Sequence, residues 1–315
     1  MNTIGRSIYP LLVLGAGSLL ILLLACQSSS GVGTGGVNPA EDVGNALTDA
    51  ARLSAGEYHT CYLDDDGEAH CWGNDDHGQA SPPEGPFIQI AANSVHTCAL
   101  RTDRTVACWG ADRDGRASPP EGTFEQIASS SGSEHTCGLR TDGTVACWGN
   151  DDKDQASPPP EKFRQIAAST YHNCGVRTDG TVVCWGFEEV LDRGAPPQGQ
   201  FEYVSVGNSH NCGLRDDGTV DCWGGNGALG DDRASAPSEK FRQLSTGFAH
   251  NCGVTTKGTV SCWGWDYYGQ CDPAAGTFNF VAAGANHNCG IKPNGSIKCW
   301  GRNLDGEASP PDQFR

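Results

Sequence analysis

Basic side chains are scarce in this chain of 315 residues. Its 21 lysines and arginines stand against 38 aspartates and glutamates, which gives a formal net charge of −17 at pH 7. An acidic surface repels the phosphate backbone of nucleic acids, so the composition argues against a nucleic-acid partner.

The sequence also lacks the short motifs that carry common chemistry. It has no G-x-S-x-G nucleophile motif, no H-E-x-x-H zinc motif and no phosphate-binding P-loop. Aspartates cluster at 64–66, 112–114 and 151–154, but none of these clusters has the full spacing of a calcium loop with its terminal glutamate. The sequence therefore predicts a protein that is not an enzyme and that uses no cofactor and no metal.

Long apolar runs are nearly absent, and the exception is the 15-residue stretch from Leu11 to Ala25. It is short for a membrane span, it follows Arg6, and it has the length of a secretory signal. It ends in Leu-Leu-Ala-Cys, which resembles a bacterial lipobox, and that resemblance implies removal of residues 1–25 and lipidation of Cys26. The alternative is an ordinary signal peptide with Cys26 merely nearby. We expect an exported lipoprotein at the outer membrane or cell surface.

Residues 26–51 follow the leader as the lipidated cysteine and a linker. The linker begins with Ser-Ser-Ser-Gly-Val-Gly-Thr-Gly-Gly, a composition typical of flexible segments. We expect it to hold the folded part, residues 52–315, away from a membrane.

Cysteine, by contrast, is abundant and regularly spaced. Fourteen of the 16 cysteines form seven pairs with a spacing of ten, with a histidine two positions before each first cysteine and Trp-Gly after each second one. Successive first cysteines are 37, 39, 37, 38, 40 and 37 residues apart, a period typical of solenoids and propellers. The predicted pairs are Cys61 with Cys71, Cys98 with Cys108, Cys137 with Cys147, Cys174 with Cys184, Cys212 with Cys222, Cys252 with Cys262, and Cys289 with Cys299.

Each pair is predicted to close a β-hairpin, as the stretch 135–149 illustrates. Two runs of β-forming residues flank Thr-Asp-Gly, where Gly143 supplies the positive φ of a tight turn. That register places Cys137 opposite Cys147 at a non-hydrogen-bonded pair, within disulfide reach. Seven local disulfides suit an oxidising compartment and leave Cys271 unpaired. Arg104 replaces the turn glycine in one hairpin and would be strained there at positive φ.

The two ends of the repeat array match each other. The C-terminal stretch 310–315 is in register with 159–164, and the residues that should follow it are supplied by 52–56. A closed ring needs matching ends and a solenoid does not. We therefore predict an all-β fold, a seven-bladed β-propeller of four-stranded blades, closed by N- and C-terminal segments that share a blade.

The repeat Gly-x-x-His-Thr-Cys-Gly-Leu-x-x-Asp-Gly-Thr-Val-x-Cys-Trp-Gly-x-Asn-x-x-Gly-Gln resembles that of the regulator of chromosome condensation family. The short blades resemble its bacterial secreted branch, which includes the type II β-lactamase inhibitory protein. The resemblance covers residues 52–315 and implies a seven-bladed propeller. One fold hosts many activities, so it says less about function.

The repeated histidines and tryptophans are interpreted as structural. Metal ligands must converge within about 2 Å of one ion, whereas equivalent positions in seven blades are spread around a ring. We expect each histidine to satisfy backbone groups at a loop start, and each tryptophan to pack between blades. The histidines are His59, His96, His135, His172, His210, His250 and His287.

Aromatic residues in variable loops mark the predicted binding face. The connections between the first and second strands, and between the third and fourth, share one rim and vary between repeats, whereas the turns on the other rim are uniform. Exposed aromatic residues at variable positions are typical of a protein interface, and Glu188 and Glu189 add negative charge. The predicted partner-binding residues are Tyr171, Phe187, Phe248, Trp265, Asp266, Tyr267 and Tyr268.

The sequence thus predicts a monomeric, lipid-anchored propeller that binds an extracellular or periplasmic protein. Three alternatives stay open at this point. The same aromatic residues would stack on sugars in a glycan-binding module, or the protein would inhibit an extracellular hydrolase such as a β-lactamase. The third alternative is an enzyme. If none of these roles holds, the aromatic residues are scattered surface residues in tolerant loops.

Overall fold

A computed structural model describes residues 49–187, 195–225 and 233–315. The chain divides into two units, Met1–Val37 and Asn38–Arg315, and every described residue belongs to the second. The predicted signal peptide, Cys26, Glu188 and Glu189 lie outside the described residues. Within the described ranges, no helix is long and apolar enough to cross a bilayer.

The described residues form seven antiparallel sheets of three strands, in each of which the second strand lies between the first and the third. The first strands are Leu53–Ala55, Phe87–Ala92, Phe124–Ala128, Phe163–Ala168, Tyr203–Val206, Phe241–Thr246 and Phe280–Ala283. The second strands are His59–Leu63, His96–Arg101, His135–Arg140, His172–Arg177, His210–Leu214, His250–Thr255 and His287–Ile291. The third strands are Ala69–Gly73, Val106–Gly110, Val145–Gly149, Val182–Gly186, Val220–Gly224, Val260–Gly264 and Ile297–Gly301. Short 3-10 turns span Arg113–Gly115 and Asp312–Phe314.

The second and third strands form the predicted hairpins. Cys137 lies opposite Cys147, and the Gly143 N–H donates to the carbonyl of Arg140 at 2.9 Å. Gly143 has a φ of 85°, and Arg104 at the equivalent turn position has a φ of 70°. The predicted register is confirmed.

All seven predicted disulfides are present, and each lies within one hairpin. Their Cα–Cα distances are 4.0–4.1 Å, which matches the close approach of a non-hydrogen-bonded pair. Cys271 is free, so the predicted pairing is confirmed. The bonds join Cys61 to Cys71, Cys98 to Cys108, Cys137 to Cys147, Cys174 to Cys184, Cys212 to Cys222, Cys252 to Cys262, and Cys289 to Cys299.

The apolar core lies between successive sheets. One cluster joins Cys137 and Leu139 of the third sheet to Phe163, Ile166 and Trp185 of the fourth. The phenylalanine that opens a first strand covers the second strand of its own sheet so closely that a side chain there would collide with it. A Cβ at Gly138 would lie 2.5 Å from the Phe124 ring. Glycine at that position therefore makes room for the ring.

The predicted fourth strand is not part of any sheet in the described part of the chain, so the prediction of four-stranded blades is not confirmed. After the third strand of the first sheet, the chain enters a polar loop whose hydrogen bonds come from its own side chains. The Asp75 carboxylate accepts from the Ala80 N–H at 2.7 Å and from the Ser81 hydroxyl at 2.6 Å. Pro82 and Pro83 follow, and proline has no N–H to donate to a neighbouring strand. The loop is therefore stable without strand pairing.

Residues from the two ends of the array lie in contact. The Ala285 N–H donates to the Gly56 carbonyl at 3.1 Å, and the Thr60 hydroxyl donates to the Glu307 carbonyl at 2.9 Å. The ring centroids of Phe314 and Tyr62 are 5.2 Å apart, so the C-terminal segment contributes a ring rather than a strand. The first strands of all seven sheets line one small cavity of about 130 Å³.

Candidate binding face

The loops define two rims. The loop rim carries the connections between first and second strands, together with the start of each loop that follows a third strand. The Trp265 N–H, for example, donates to the Ala249 carbonyl at 3.0 Å, which holds two such loops of the sixth sheet side by side. The turn rim carries the hairpin turns, and there the Phe163 N–H donates to the Gly143 carbonyl at 2.9 Å. The predicted separation of the two kinds of loop is confirmed.

Seven buried histidines join neighbouring sheets just beneath the loop rim. The Nε2 atom of His135 lies 2.7 Å from the Asn173 Oδ1 atom of the fourth sheet, and that of His287 lies 2.8 Å from the Thr60 hydroxyl of the first. The five other histidines make the same side-chain contact with the following sheet. The predicted structural role is confirmed, but the partner is a side chain of the next sheet rather than backbone.

Burial controls the charge of these histidines. Each ring is 0 % exposed, and desolvation lowers the pKa of His135 to about 4 and that of His287 to about 3. They are therefore neutral near pH 7, as their hydrogen bonds to hydroxyl and amide groups allow. Among the described residues, no group of histidine, cysteine, aspartate or glutamate side chains could hold a metal ion.

The loops that follow the third strands of the first, third and seventh sheets each contain a matched side-chain pair, whereas the second sheet has Ala111 and Arg116 at the same two positions. In the first sheet the buried Gln79 side chain accepts from the His77 N–H at 2.9 Å, and its amide donates to Asn74 Oδ1. Gln155 makes the same pair of bonds with Lys153 and Asn150 in the third sheet. In the seventh sheet an ion pair takes the place of the asparagine–glutamine pair. Arg302 Nη1 lies 2.6 Å from Glu307 Oε1. The two side chains thus differ between these three loops but remain matched.

The loop of the sixth sheet breaks this match. Trp265 stands where the three matched loops have Asn74, Asn150 or Arg302. Gln270 still accepts from the Tyr268 N–H at 2.8 Å, but its Nε2 atom has no hydrogen-bond partner although the residue is 0 % exposed. An unpaired buried donor costs about 1–3 kcal/mol. Trp265 therefore leaves this buried donor without the acceptor that asparagine supplies in the first and third sheets.

The rings of Trp265 and of two exposed tyrosines, Tyr267 and Tyr268, contact one another. These three residues are called the aromatic cluster. The Trp265 and Tyr267 rings stack at 5.8 Å with an angle of 10° between their planes. Tyr268 meets both rings edge-on, at 5.8 Å and 4.9 Å. Tyr267 is 76 % exposed. The cluster therefore presents preorganised apolar surface to the outside.

The other predicted binding residues lie apart from this cluster. Tyr171 and Phe187 pair edge-on at 6.1 Å in the fourth sheet, and the Lys153 ammonium group lies 4.7 Å from the centre of the Phe187 ring. Phe248 is 39 % exposed but forms no ring pair with the aromatic cluster among the described residues. A Cβ at Gly132 would lie 3.7 Å from the Phe248 ring, which places that ring against the long loop of the third sheet instead.

Two further residues of the sixth loop have local roles. The Asp266 carboxylate accepts from the Cys271 N–H at 2.7 Å, as Asp75 does from Ala80, so it closes the loop. The Cys271 thiol donates to the Trp265 carbonyl at 3.4 Å, and burial together with Asp266 and Asp272 raises its pKa to about 12. A thiol that stays protonated reacts slowly, which argues against an exposed cross-linking cysteine.

Gln270 was not identified as a site residue by the sequence analysis. The signal was nevertheless present in the repeats. In three of the seven repeats, the first and sixth positions after Trp-Gly carry a matched pair, which is Asn with Gln twice and Arg with Glu once. The sixth repeat has the same glutamine, Gln270, but Trp265 takes the place of the asparagine that accepts from the glutamine amide in other repeats.

The fold and the repeated hairpins define a seven-bladed β-propeller of the RCC1 type. The profile described as "Regulator of chromosome condensation (RCC1) repeat" matches residues 51–79, 87–116, 126–155, 163–189, 201–228, 241–270 and 279–307. The chain therefore belongs to this repeat family. A search among proteins with curated descriptions finds no match.

Several solved structures share the architecture. The CRINKLY WD40 ectodomain of the Arabidopsis thaliana receptor kinase ACR4 is 25 % identical, with a TM-score of 0.69, and the match covers 83 % of this chain and 97 % of that one. The ectodomain of the Physcomitrella patens receptor kinase CR4 is 23 % identical, with a TM-score of 0.68, over 80 % of this chain and 73 % of that one. Prp20p from Saccharomyces cerevisiae, described with its binding to Gsp1p and histones, is 15 % identical, with a TM-score of 0.64, over 81 % and 83 %.

Proposed function

We propose that this protein is a non-catalytic propeller that binds another protein through its loop rim, with the aromatic cluster as the main contact. Propellers of this repeat type are typically protein-interaction scaffolds. The observation that carries the proposal is the aromatic cluster on the loop rim, in which Tyr267 is 76 % exposed and Trp265 replaces the residue that pairs with the buried glutamine in the matched loops. Exposed, preorganised aromatic surface is typical of a protein-binding site.

The proposal includes the location of the protein. Seven disulfides are typical of an exported protein, and a lipidated Cys26 with a flexible linker would hold the propeller at a membrane surface. Cys26→Ser should then release a folded, soluble protein. Unchanged membrane fractionation of this variant would contradict lipid anchoring.

It also includes closure of the propeller. The bond between His287 and Thr60 repeats the histidine link found between the other sheets, and one apolar cluster joins Leu53 and Trp72 of the first sheet to Ile291 of the seventh. These contacts support a closed ring. Deletion of residues 309–315 should therefore lower the melting temperature more than deletion of residues 27–45. Equal effects would argue for an open array.

A pull-down experiment tests the binding face. The full chain, its Trp265→Ala variant and its Asp142→Ala variant are used to capture extracellular proteins of the source cell. Captured proteins should be lost with Trp265→Ala, because truncation of a buried interface tryptophan commonly costs about 2 kcal/mol or more. They should be retained with Asp142→Ala, which changes the turn rim. The reverse pattern would place the binding face on the turn rim.

The same variants separate the alternatives. Trp265-dependent retention on a glycan array, with no captured protein, would indicate a glycan-binding module instead. Inhibition of a β-lactamase or peptidase that is lost with Trp265→Ala would identify the bound protein as a hydrolase.

A further inference from the structure

The propeller already pairs aromatic rings on the loop rim with its own cations. Lys153, in the loop of the third sheet, covers Phe187 at the start of the fourth loop. Arg302, in the loop of the seventh sheet, lies 5.2 Å from the centre of the Tyr58 ring in the first sheet. In both cases a loop of one sheet places its cation over a ring of the next. A cation over an aromatic face is attracted by the negative charge of the ring.

The aromatic cluster has no such cation among the described residues. The preceding loop is that of the fifth sheet, and its residues 226–232, Asn-Gly-Ala-Leu-Gly-Asp-Asp, contain no lysine or arginine. Arg233, which follows, is 6 % exposed and donates to the Ser209 hydroxyl at 3.0 Å. Phe187 and Tyr58 each have a cation over the ring. Among the described residues, the rings of the sixth sheet have no such contact.

The charge around the cluster is negative. Asp266 and Asp272 are exposed, and both raise the pKa of the neighbouring Cys271. The whole chain carries a net charge of −17. A cationic side chain that approaches Tyr267 thus meets an open aromatic face, nearby carboxylates and a favourable long-range field.

We propose that the aromatic cluster binds an arginine or lysine side chain of the partner protein, in the way that Lys153 and Arg302 lie over the Phe187 and Tyr58 rings. This inference rests on the proposed function and adds the chemistry of the partner. Two stacked rings and one perpendicular ring offer a flat face to a planar guanidinium group, so arginine is the better fit. The partner segment is therefore a basic loop rather than an apolar or acidic one.

Peptide selection tests this inference. A library of random peptides of about twelve residues, long enough to span one rim loop, is panned against the full chain after depletion on the Trp265→Ala variant. The selected peptides should be enriched in arginine or lysine. A synthetic peptide from this pool should bind about tenfold more weakly when its basic residue is changed to glutamine, and equally so to Tyr267→Ala protein. Binding should also weaken as salt rises from about 50 mM to about 500 mM.

Leu304→Ala is the matched control. Leu304 occupies the position of Tyr267 in the loop of the seventh sheet and is 77 % exposed, so this variant should bind the peptide unchanged. Selected peptides that need Trp265 but tolerate glutamine at the basic position would overturn the inference and leave the proposed binding face intact. If no peptide distinguishes wild type from both Trp265→Ala and Tyr267→Ala, the inference and the proposed face both fail. Thermal melts confirm that the variants are folded.

Discussion

The loops that follow the first and the sixth sheets have the same backbone hydrogen bonds but opposite side-chain chemistry. In both, an aspartate closes the loop and a buried glutamine accepts from a backbone N–H. In the first loop Asn74 completes the hydrogen bonds of Gln79, whereas in the sixth Trp265 leaves Gln270 with an unpaired donor. When side chains of a loop already hydrogen-bond its backbone, one residue of that loop can be replaced by a residue that binds a partner protein, and the loop keeps its shape. The difference between the two loops is one buried donor, which is paired in the first loop and unpaired in the sixth.

Both loops rest on sheets that are joined by buried histidines. Acid should destabilise these sheets, and we expect this to be the largest of the predicted effects on the free energy of unfolding. The pKa of His59 under the first loop and that of His250 under the sixth are lowered to about 4 by desolvation, so the folded state favours neutral rings. Stability is then fully present above about pH 6.5, and is lost as the pH falls toward the folded pKa values, because the unfolded chain binds more protons. Each such ring contributes up to about 1.4 kcal/mol per pH unit. Urea midpoints at about pH 7.5, 5.5 and 4.5 measure the loss.

Replacement of one buried histidine tests this acid prediction. His135→Gln should make the pH dependence shallower by about one titrating group. Constant stability from about pH 7.5 to 4.5 would mean that the buried histidines do not govern the fold.

Removal of the first side chain of each loop tests the difference directly. Asn74→Ala leaves the buried amide of Gln79 without an acceptor and should lower the free energy of unfolding by about 1–3 kcal/mol. Trp265→Ala breaks no side-chain hydrogen bond and should cost about 1 kcal/mol or less. Urea denaturation of the two variants gives both values. Equal destabilisation would show that Trp265 is a core residue rather than a binding residue.

The turn rim provides a third prediction, because its hairpins should be interchangeable. Arg104 has a φ of 70° where the other hairpins place glycine. Arg104→Gly should raise the free energy of unfolding by about 1 kcal/mol, since a side chain at positive φ costs about 1–2 kcal/mol. The melting temperature should rise by about 2–4 °C. The reverse change, Gly143→Arg, should lower it by a similar amount, and an increase there would contradict the role of positive φ.

The smallest expected effect concerns Cys271, which replaces the alanine found in other loops at positions 80, 156 and 308. Cys271→Ala should change the free energy of unfolding by less than about 0.5 kcal/mol. In the folded wild type the raised thiol pKa should make alkylation by iodoacetamide at about pH 8 much slower than in urea, as mass spectrometry would show. Equal rates in both conditions would mean that the thiol is exposed.

Much of this molecule could be predicted from its sequence because the repeat constrains it seven times. The hairpin register follows from the turn glycine and the cysteine spacing, and it agrees with the observed pairing of Leu139 with Val145. The predicted fourth strand is not confirmed, because sequence patterns do not show that the Asp75 carboxylate binds the Ala80 N–H and the Ser81 hydroxyl within this loop. The histidine partners lie one whole repeat away, as in His59 and Thr97, and local reasoning does not reach that far.

The candidate site divides in the same way. The shared rim placed Trp265, Tyr267 and Tyr268 together because they lie in one short loop. Phe248 is predicted to join the same group from its sheet, but its ring lies next to Gly132, three sheets away. Sequence order fixes which rim a residue occupies, while packing across the propeller decides which neighbour it faces.

The local disulfides have a consequence for biosynthesis. Fourteen cysteines paired at random would allow about 1.4 × 10⁵ connectivities. Because each native bond spans ten residues, a chain that enters an oxidising compartment N-terminus first would complete one hairpin before the first cysteine of the next hairpin emerges. Oxidation can thus proceed in order along the chain, with little need for isomerase-driven reshuffling. The exception is Cys271, which follows Cys262 by nine residues and arrives as a competing thiol at the sixth hairpin.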